Sequence, residues 1–399
     1  MKLGFLNPIF ERPGPWASVY FDTTLATQDA AARHELLARE VCEQLAGRGA
    51  DDRTCRAVYD ALLALPRSSR PSGRALFATG GEAVLEQELA APPGGGSYAT
   101  WGVLPHTTPL LDLMDAAPAC LVARVDRAGA DLELRGPFGS RDVGQVQGED
   151  WPLRRVPTPD WSERHFQQSV ENTWEHNAGL IADALRARRA ETGAELVVLA
   201  GDDRECHAVQ DRLAPELREA VVMAGHGVRA PGRNEAAGER KLVEEVESAR
   251  AERLRRHTAE VMERFRAGRV PTDDGRVSAA EGVPALVDAA REHRIAALLV
   301  RPDGVDLHRE VWVGDEPDQV AVRRSDVQYL GDTSPASARA DDALLRSAVA
   351  TGAEVISVRP LADEPDTPDG LPVGGLGALL RWPYGGPPAE GTAGGTEAA

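Results

Sequence analysis

Residues 195–200 read ELVVLA, and this short run decides the fold class. It is apolar without interruption after its first residue, which is typical of a strand covered on both faces in a parallel sheet. Thr192 and Gly193 precede it, and glycine commonly follows the last turn of a helix. The residues after it, GDD at 201–203, lead into another helical pattern. The order helix, buried strand, helix predicts an α/β domain.

A long amphipathic helix is predicted before this strand. Asp160 can cap its first turn, and Glu163, three residues later, completes a capping box. Apolar residues then recur every three or four positions and define one core-facing side; they are Phe166, Val170, Trp174, Ala178, Ile181 and Leu185. The polar positions away from that side are His165, Gln168, Glu171 and Asn172.

Further strands flank this helix and strand. Residues 119–126 (ACLVARVD) and 131–135 (DLELR) predict a hairpin whose turn contains Gly129, and a more polar third segment follows. Downstream, residues 220–224 (AVVMA) predict the next strand of the sheet. A long helical pattern then runs to Arg269.

Three domains are predicted. The α/β pattern repeats after residue 275, where GRVSAAEGVPALVDAAREHRIAALLV gives a loop, a helix and a buried strand. Near the N-terminus, a strand-like ASVYFDTT and helical stretches at 30–45 and 54–65 precede a Pro/Gly-rich loop. We therefore expect an N-terminal α/β domain at 1–117, a middle domain at 118–235, a C-terminal α/β domain at 236–384 and a disordered tail at 385–399.

Length, composition and cysteine spacing restrict the functional class. A chain of 399 residues exceeds one ordinary core, and its 42% hydrophobic and 27% charged residues are ordinary for globular domains. No apolar run reaches the length of a membrane span, and the N-terminus has prolines and charges where a signal peptide needs an apolar core. Cys42, Cys55, Cys120 and Cys206 show no CxxC spacing, which argues against a disulfide framework or a thiolate zinc site. We expect a cytoplasmic protein without a cofactor.

Charge is unevenly distributed along the chain. The formal net charge is −18, and residues 271–399 hold 22 Asp and Glu against 11 Lys and Arg. Residues 250–269, RAERLRRHTAEVMERFRAGR, instead hold seven Arg against three Glu. Such a helix is either a solvated surface with Glu–Arg pairs one turn apart or a surface that contacts phosphates. The acidic last third suits protein partners better than RNA.

Two polar segments offer other chemistry. DDRECH at 202–207 follows the carboxyl end of a buried strand, where open α/β sheets bind ligands, so a metal-dependent nuclease using Asp202 and Asp203 is one alternative. The same carboxylates at a helix N-terminus stabilise its dipole without a metal. GHG at 225–227 is typical of turn chemistry. The sequence contains no GxSxG, Walker or GxGxxG motif.

Four segments, in this order, resemble the middle and C-terminal domains of Pelota and the archaeal and eukaryotic class-1 release factors. They are ACLVARVDRAGADLELRGPF at 119–138, HFQQSVENTWEHNAGLIADAL at 165–185, ELVVLAGDDRECHAVQDRL at 195–213, and a C-terminal set that runs from residue 275 through AVATGAEVISV to VGGLGALLRWP at 373–383. The N-terminal 117 residues resemble only the bacterial branch of the family, the Balon-type ribosome hibernation factors and their actinobacterial relatives.

This resemblance implies a fold and a function. The fold is α/β, with a release-factor-like middle domain of mixed sheet and long helix and a C-terminal α/β domain like the third domain of Pelota. In true release factors the strand, loop and helix of the middle domain carry Gly-Gly-Gln at the loop tip, which helps cleave peptidyl-tRNA. This sequence contains no Gly-Gly-Gln, and its loop at 157–161 is short and stiffened by two prolines. We therefore expect a tRNA-mimicking hibernation or rescue factor that occupies the ribosomal A site without catalysis.

The expected contacts with ribosomal RNA form two sets, since phosphate contacts position a protein without reading sequence. The loop set, expected at the peptidyl-transferase centre, is Arg154, Arg155, Pro157, Pro159, Asp160, Trp161, Arg164, His165 and Gln168. The basic-helix set is Arg250, Arg253, Arg255, Arg256, Arg266 and Arg269. Trp161 and His165 can stack on RNA bases, although Trp161 can equally staple onto its own helix.

The resemblance also implies partners. We expect the 70S ribosome, and for the acidic last domain elongation factor Tu or a stalk-base ribosomal protein. A peptidyl-tRNA hydrolase that uses a different loop residue, such as Gln167 or Gln168, is the first alternative to this function, and the metal-dependent nuclease is the second.

Overall fold

A computed structural model describes residues 1, 3–24, 30–68, 71–136, 139–148, 161–227, 235–331, 334–359 and 370–385, with the backbone alone at 30, 161–172 and 235–236. The chain divides into two compact units. The terminal unit combines Met1–Met114 with Thr258–Ala399, and the middle unit is Asp115–His257.

The first part of the terminal unit is an antiparallel sheet with two longer helices on one face and two short helices packed on the other. Its elements are helix α1 (Asn7–Phe10), strand β1 (Trp16–Asp22), helices α2 (Ala30–Gly47) and α3 (Asp52–Ala64), strands β2 (Gly73–Thr79), β3 (Glu82–Leu89) and β4 (Tyr98–Gly102), and helix α4 (Leu110–Leu113). The strand order is β3-β2-β1-β4. Alternation along β1 directs Val19 and Phe21 toward α2 and α3, and Trp16 and Tyr20 to the opposite face.

The middle unit is a five-stranded mixed sheet between two long helices. Its elements are strands β5 (Cys120–Asp126), β6 (Gly129–Gly136) and β7 (Gly139–Gln147), helix α5 (Trp161–Thr192), strand β8 (Leu196–Gly201), helices α6 (Asp203–Gln210) and α7 (Pro215–Arg218), strand β9 (Val221–Ala224) and helix α8 (Glu235–Gly268), which continues into the terminal unit. The order is β7-β6-β5-β8-β9; β5, β6 and β7 pair antiparallel, whereas β5, β8 and β9 pair parallel.

Strand β8 is buried on both faces, as ELVVLA predicts. Val197 and Leu199 pack with Ile181 and Leu185 of α5, as the helical periodicity predicts. Val198 packs on the other face of the sheet, in a cluster that contains Leu242 and Val246 of α8. Burial from both sides explains why this strand carries no polar alternation.

The second part of the terminal unit contains two sheets. Its elements are strand β10 (Arg276–Glu281), helix α9 (Val283–Arg291), strands β11 (Ile295–Val300), β12 (Glu310–Val313) and β13 (Val320–Ala321), helix α10 (Arg324–Tyr329), strand β14 (Ala336–Arg339), helix α11 (Ala340–Ala350), and strands β15 (Glu354–Ser357) and β16 (Leu376–Gly385). One sheet has the order β10-β16-β11-β15, with β11 and β15 parallel. The other is antiparallel, with the order β13-β12-β14.

One hydrophobic core joins the two parts of the terminal unit. Trp16, Tyr20 and Phe77 of the N-terminal sheet belong to the same buried cluster as Leu298 of β11 and Leu344 of α11. Helix α11 is buried from its first residue to its second-last residue. It is therefore the central helix of this unit, and its N-terminus lies inside the protein.

The predicted fold class is confirmed: the protein is α/β, with several sheets and a mixed middle sheet beside a long helix. The sequence did not indicate strands β2, β3 and β4 or the small sheet of β12, β13 and β14. The boundaries 117/118 and 235/236 stay a prediction, and the tail at 385–399 lies outside the described residues apart from Gly385. In the part of the chain that the structure describes, no helix has both the length and the apolar character needed to cross a bilayer.

Candidate nucleic-acid interface

The loop set falls largely on residues that the structure does not describe. Arg154, Arg155, Pro157, Pro159 and Asp160 lie outside the described residues. The remaining members of the set lie in the first two turns of α5, and only their backbone is described. They are Trp161, at which the helix begins, Arg164, His165 and Gln168. Phe166 and Val170 on the predicted core side are likewise described by backbone alone.

The point at which this loop leaves the sheet is well defined. The amide of Gly148 donates to the carbonyl of Ala128 at 2.7 Å, and the buried side chain of Asn177 donates to the carbonyl of Arg127 at 2.9 Å. A Cβ at position 148 would lie 2.2 Å from Cγ of Asn177, so any other residue there would have to displace the Asn177 side chain. Gly148, the last described residue before Trp161, is therefore held next to the turn between β5 and β6.

An aromatic and cationic cluster lies beside this point, at the carboxyl ends of β5 and β8. The guanidinium groups of Arg127 and Arg204 lie 4.5 and 5.0 Å from the indole ring of Trp174, within the range of cation–π contacts. Arg127 also donates to Glu205 at 3.0 Å. Burial raises the pKa of Glu205, and the contact with Arg127 opposes that shift. Trp174 was predicted from the helical periodicity only as a core residue, and no sequence pattern indicated the two arginines.

Arg250 does not belong to an exposed basic surface, and its place in the basic-helix set is corrected here. Its side chain is 3% exposed and its guanidinium is fully engaged within the middle unit. It donates to Asp115 at 2.6 Å, to Glu247 at 2.8 Å, and to the carbonyls of Ala117 and Pro118 at 3.1 and 3.0 Å. A phosphate cannot reach a guanidinium that is buried behind these partners.

The next turn of α8 is exposed. The side chains of Arg255 and Arg256 are 59% and 60% exposed, and both contact Glu252, at 2.6 and 3.8 Å. The hydrogen bond from Arg255 holds the pKa of Glu252 below its ordinary value. Arg253 is half-buried. Two guanidinium groups thus share one carboxylate, which leaves this turn with an excess of positive charge.

The last two members of the set lie in the terminal unit. Arg266 is exposed in the last turn of α8. Arg269 lies just past the end of that helix, where it pairs with Glu281 at 3.2 Å and stacks over the ring of Phe265 at 5.3 Å. Arg269 is therefore partly committed to contacts within its own unit, whereas Arg266 faces solvent.

The DDRECH segment has a structural role in its helix. Asp202 caps α6 by accepting from the amide of Arg204 at 3.0 Å, and His207 contacts the carbonyl of Asp203 at 2.6 Å. Within the described parts of the chain, one group of three His, Cys, Asp or Glu side chains has ligand atoms close enough to hold a metal, and it does not include these residues. That group is His106, Asp341 and Asp342, in the terminal unit.

The GHG segment supports the turn interpretation. Gly227 has a φ of 108°, and a Cβ there would lie 2.8 Å from a methyl group of Leu242 on α8. Nδ1 of His226 contacts Glu245 at 2.6 Å in a half-exposed pair. The glycine is required by backbone conformation and by close packing, and the histidine is held by a carboxylate.

Comparison with known proteins places the middle unit in a family. The model of bacterial archaeo-eukaryotic release factor family 2 matches residues 119–270, which include the β5–β6 hairpin, residues 149–160 outside the described part of the chain, and helices α5 and α8. Residues 119–270 of the chain are therefore similar to the bacterial archaeo-eukaryotic release factors. This match confirms the resemblance carried by the hairpin, the helix and the ELVVLA strand.

Relatives of this protein include one from Mycobacterium tuberculosis (strain ATCC 25618 / H37Rv), named Uncharacterized protein Rv2629. It is 29% identical over 375 residues, covering 92% of this chain and 94% of the relative. Solved structures with similarity include an archaeal translation termination factor, aRF1, at 18% identity, with 93% of each chain covered and a TM-score of 0.24. A model of ribosome-bound archaeal Pelota and ABCE1 is similar at 14% identity, covering 95% of this chain and 93% of that chain with a TM-score of 0.39.

Proposed function

We propose that this protein is a ribosome-binding translation factor of the hibernation or rescue type, which occupies the A site like a tRNA and leaves peptidyl-tRNA intact. The family match over residues 119–270 carries the proposal. The matched region contains the strand, loop and helix in which, by resemblance, release factors carry Gly-Gly-Gln, and the sequence contains no such tripeptide. Loss of the hydrolytic tripeptide with retention of the surrounding fold supports occupancy over cleavage.

The position of the two glutamines in α5 argues against the hydrolase alternative. The helix begins at Trp161, so Gln167 and Gln168 lie in its second turn and not at a loop tip. A glutamine in a regular helix could position a water for hydrolysis only if the first turns unwound. This placement supports a non-catalytic role for the segment.

The exposed turn of α8 supports contact with RNA. Ion pairs between exposed side chains contribute little because water and salt screen them. Arg255 and Arg256 can therefore exchange Glu252 for a phosphate group at small cost, and such contacts provide affinity without sequence recognition. In this proposal, Arg266, the half-buried Arg253 and the loop set provide further contacts, and the loop set lies at the peptidyl-transferase centre.

Two further elements of the proposal come from charge and resemblance. The acidic residues after 271 would repel RNA and suit a protein partner, for which elongation factor Tu and a stalk-base ribosomal protein are the candidates. The ribosomal site also implies a cytoplasmic location. The nuclease alternative is weaker, because Asp202 is committed to capping α6.

Sedimentation with ribosomes tests this function. Purified full-length protein is mixed with 70S ribosomes that carry peptidyl-tRNA, and its affinity is measured across a salt series. We expect affinity to fall steeply with salt. Arg255→Gln with Arg256→Gln should reduce the slope of log affinity against log salt by about 0.7–0.9 for each phosphate group that the variant no longer neutralises.

The matched control removes two other charges from the same unit. Arg186 and Arg188 are exposed on α5 and pair with Asp183 and Glu191. Arg186→Gln with Arg188→Gln should leave the salt slope unchanged. A salt-independent affinity, or absence of sedimentation with ribosomes, contradicts the proposal.

A further inference from the structure

Helix α5 carries part of the loop set on its first turns and packs in the core with its second half. It runs over 32 residues, which corresponds to about 48 Å at the helical rise of about 1.5 Å per residue. Among its described side chains, the apolar ones buried in the core of the middle unit begin at Ala178 and continue to Leu185. The first half, residues 161–176, precedes this buried stretch. The contacts of the turn between the two halves therefore decide where the first turns point.

Trp174, near the end of the first half of α5, is contacted from two neighbouring elements. The guanidinium of Arg127, in the turn between β5 and β6, lies 4.5 Å from the centre of the indole ring. The guanidinium of Arg204, in the first turn of α6, lies 5.0 Å from it. Both distances are within the range of cation–π contacts. We call Trp174, Arg127 and Arg204 the Trp174 bracket.

Each arginine of the bracket stands on a backbone that is held by a carboxylate. Asp126 accepts from the next two amides after Arg127, at 2.8 and 2.9 Å, and so closes the turn that carries this arginine. Asp202 caps α6 by accepting from the amide of Arg204 at 3.0 Å. The side chain of Arg127 also donates to Glu205 at 3.0 Å. The two guanidinium groups are therefore presented to the indole from fixed positions.

Two further contacts hold the same turn of α5. The buried side chain of Asn177 donates to the carbonyl of Arg127 at 2.9 Å. Glu175 pairs at 3.4 Å with Arg212, which follows α6. Successive residues of a helix are rotated by about 100°, so positions 174, 175 and 177 point in different directions. The turn is therefore supported both by the β5–β6 turn and by the region of α6.

Small rotations at the bracket become large displacements at the start of the helix. Trp161 precedes Trp174 by about 20 Å along the axis of α5. A rotation of the helix by about 10° at the bracket would therefore move Trp161 by about 3.5 Å. A binding group must be held within roughly 0.5 Å of its productive position. The bracket thus controls how precisely the first turns are placed.

The charges around the bracket argue against direct contact with RNA. Asp126, Asp202 and Glu205 lie beside the two arginines, so three carboxylates neighbour two guanidinium groups. A phosphate group that approached Arg127 would have to displace Glu205, whose side chain is 11% exposed. Leaving a buried carboxylate without its partner is costly. The arginines are therefore better suited to hold the indole than to bind phosphate.

We propose that the Trp174 bracket fixes the direction of the first turns of α5 and thereby presents the loop set to ribosomal RNA. This inference rests on the proposed function, because it takes ribosomal RNA as the partner of the loop set. The three residues of the bracket act through α5 and contact no RNA themselves. They are therefore positioning residues, and their loss should lower the affinity for ribosomes without changing its dependence on salt.

The indole ring of Trp174 acts through its faces. Its Nε1 is buried and, among the described residues, has no hydrogen-bond partner. Phenylalanine offers an aromatic face for cation–π contacts and lacks this donor, so Trp174→Phe should keep the bracket. Trp174→Leu keeps an apolar side chain and removes the aromatic face. The two variants separate the cation–π contacts from apolar packing.

Hydrogen exchange of the free, full-length protein tests the bracket without the ribosome. Helical turns that lose tertiary contacts are only marginally stable in water, so weakening the bracket should open the first half of α5. We expect peptides from residues 161–176 to exchange about three- to tenfold faster in Trp174→Leu, the change expected for the loss of one or two cation–π contacts. Trp174→Phe should stay within about twofold of the wild type, because its ring keeps these contacts. Peptides from the second half of α5 should exchange as in the wild type.

Sedimentation with 70S ribosomes across a salt series tests the positioning role. Trp174→Leu should lower the affinity by a similar factor and leave the slope of log affinity against log salt unchanged, because no phosphate contact is removed. Arg127→Gln with Arg204→Gln should give the same result. This double variant also decides the question if Trp174→Leu does not fold, since both arginines are exposed at the surface.

The matched control is Arg186→Gln with Arg188→Gln, which removes two arginines from the second half of α5 and should match the wild type in both measurements. A lower salt slope in Arg127→Gln with Arg204→Gln would show direct phosphate contact and overturn the positioning role. If the wild type sediments with ribosomes and the bracket variants sediment equally well, the positioning role alone fails. If the wild type does not sediment, the proposed function fails and the positioning role fails with it.

Discussion

Replacement of Arg250 by methionine should destabilise the middle unit without weakening RNA contact. The change keeps a flexible, unbranched side chain that is shorter than arginine, and it removes the charge and the donors. It breaks the 2.6 Å ion pair with Asp115 and two hydrogen bonds to the carbonyls of residues 117 and 118. These bonds tie the middle of α8 to the segment that precedes β5, so their loss should loosen that helix.

The size of the effect follows from burial. Breaking a fully buried ion pair costs about 3–5 kcal/mol, and each neutral hydrogen bond contributes about 0.5–1.5 kcal/mol. Asp115 is 29% exposed and can regain water, which lowers the cost. We expect Arg250→Met to reduce the free energy of unfolding by about 2–4 kcal/mol.

Urea unfolding followed by circular dichroism, with hydrogen exchange of peptides from 115–120 and 242–257, measures this loss. Arg255→Met is the matched control, because the same change on an exposed turn should leave both readouts unaffected. Salt-dependent sedimentation with ribosomes should be unchanged in the folded fraction of Arg250→Met. If this variant is as stable as the wild type and binds ribosomes more weakly, Arg250 faces RNA and its structural role is refuted.

Three further outcomes are expected. Asp51→Ala should lower the free energy of unfolding by about 0.5–2 kcal/mol in urea unfolding, because Asp51 caps α3. Hydrogen bonds from Thr54 lower the pKa of Asp51, so the cap stabilises the protein above the ordinary pKa of 3.8 and this stabilisation is lost as the pH falls below it. The stabilities of the variant and the wild type should therefore converge in acid. Trp161→Ala with His165→Ala should reduce ribosome occupancy several-fold at a nearly unchanged melting temperature; a large drop in melting temperature with normal pelleting would show that these side chains are structural. Gly227→Ala should lower the melting temperature, because its φ is 108° and the added Cβ would lie 2.8 Å from Leu242; an unchanged value would show that this turn adjusts freely.

The sequence was sufficient to predict those helices and strands whose apolar patterns lie within the element itself. Strand β8 was recognisable because burial on both faces requires an unbroken apolar run, and α5 was recognisable because Ile181 and Leu185 continue a helical repeat. Strand β3 was not anticipated, because it lies at the edge of its sheet and carries several exposed charges. Apolar and polar residues alternate only weakly along β3, so its sequence does not distinguish it from a loop.

The burial of Arg250 was detectable in principle. Leu242, Val246 and Arg250 are spaced four residues apart, so the arginine continues the core-facing stripe of α8. The prediction of a basic surface rested on the number of arginines in residues 250–269 and did not take this periodicity into account. The pairing of His106 with Asp342 was not predictable, because the two residues are 236 positions apart and only the shared core of the terminal unit brings them together.

The most direct test of the proposed function is a single sedimentation experiment. Purified protein is added to 70S ribosomes with peptidyl-tRNA in the P site, and the ribosomal pellet is assayed for both the protein and intact peptidyl-tRNA. We predict that the protein enters the pellet in a salt-sensitive manner and that peptidyl-tRNA stays intact. Absence of the protein from the pellet would contradict ribosome binding. If the wild-type protein instead releases the peptide from the tRNA, and Gln167→Ala or Gln168→Ala does not, the protein is a hydrolase.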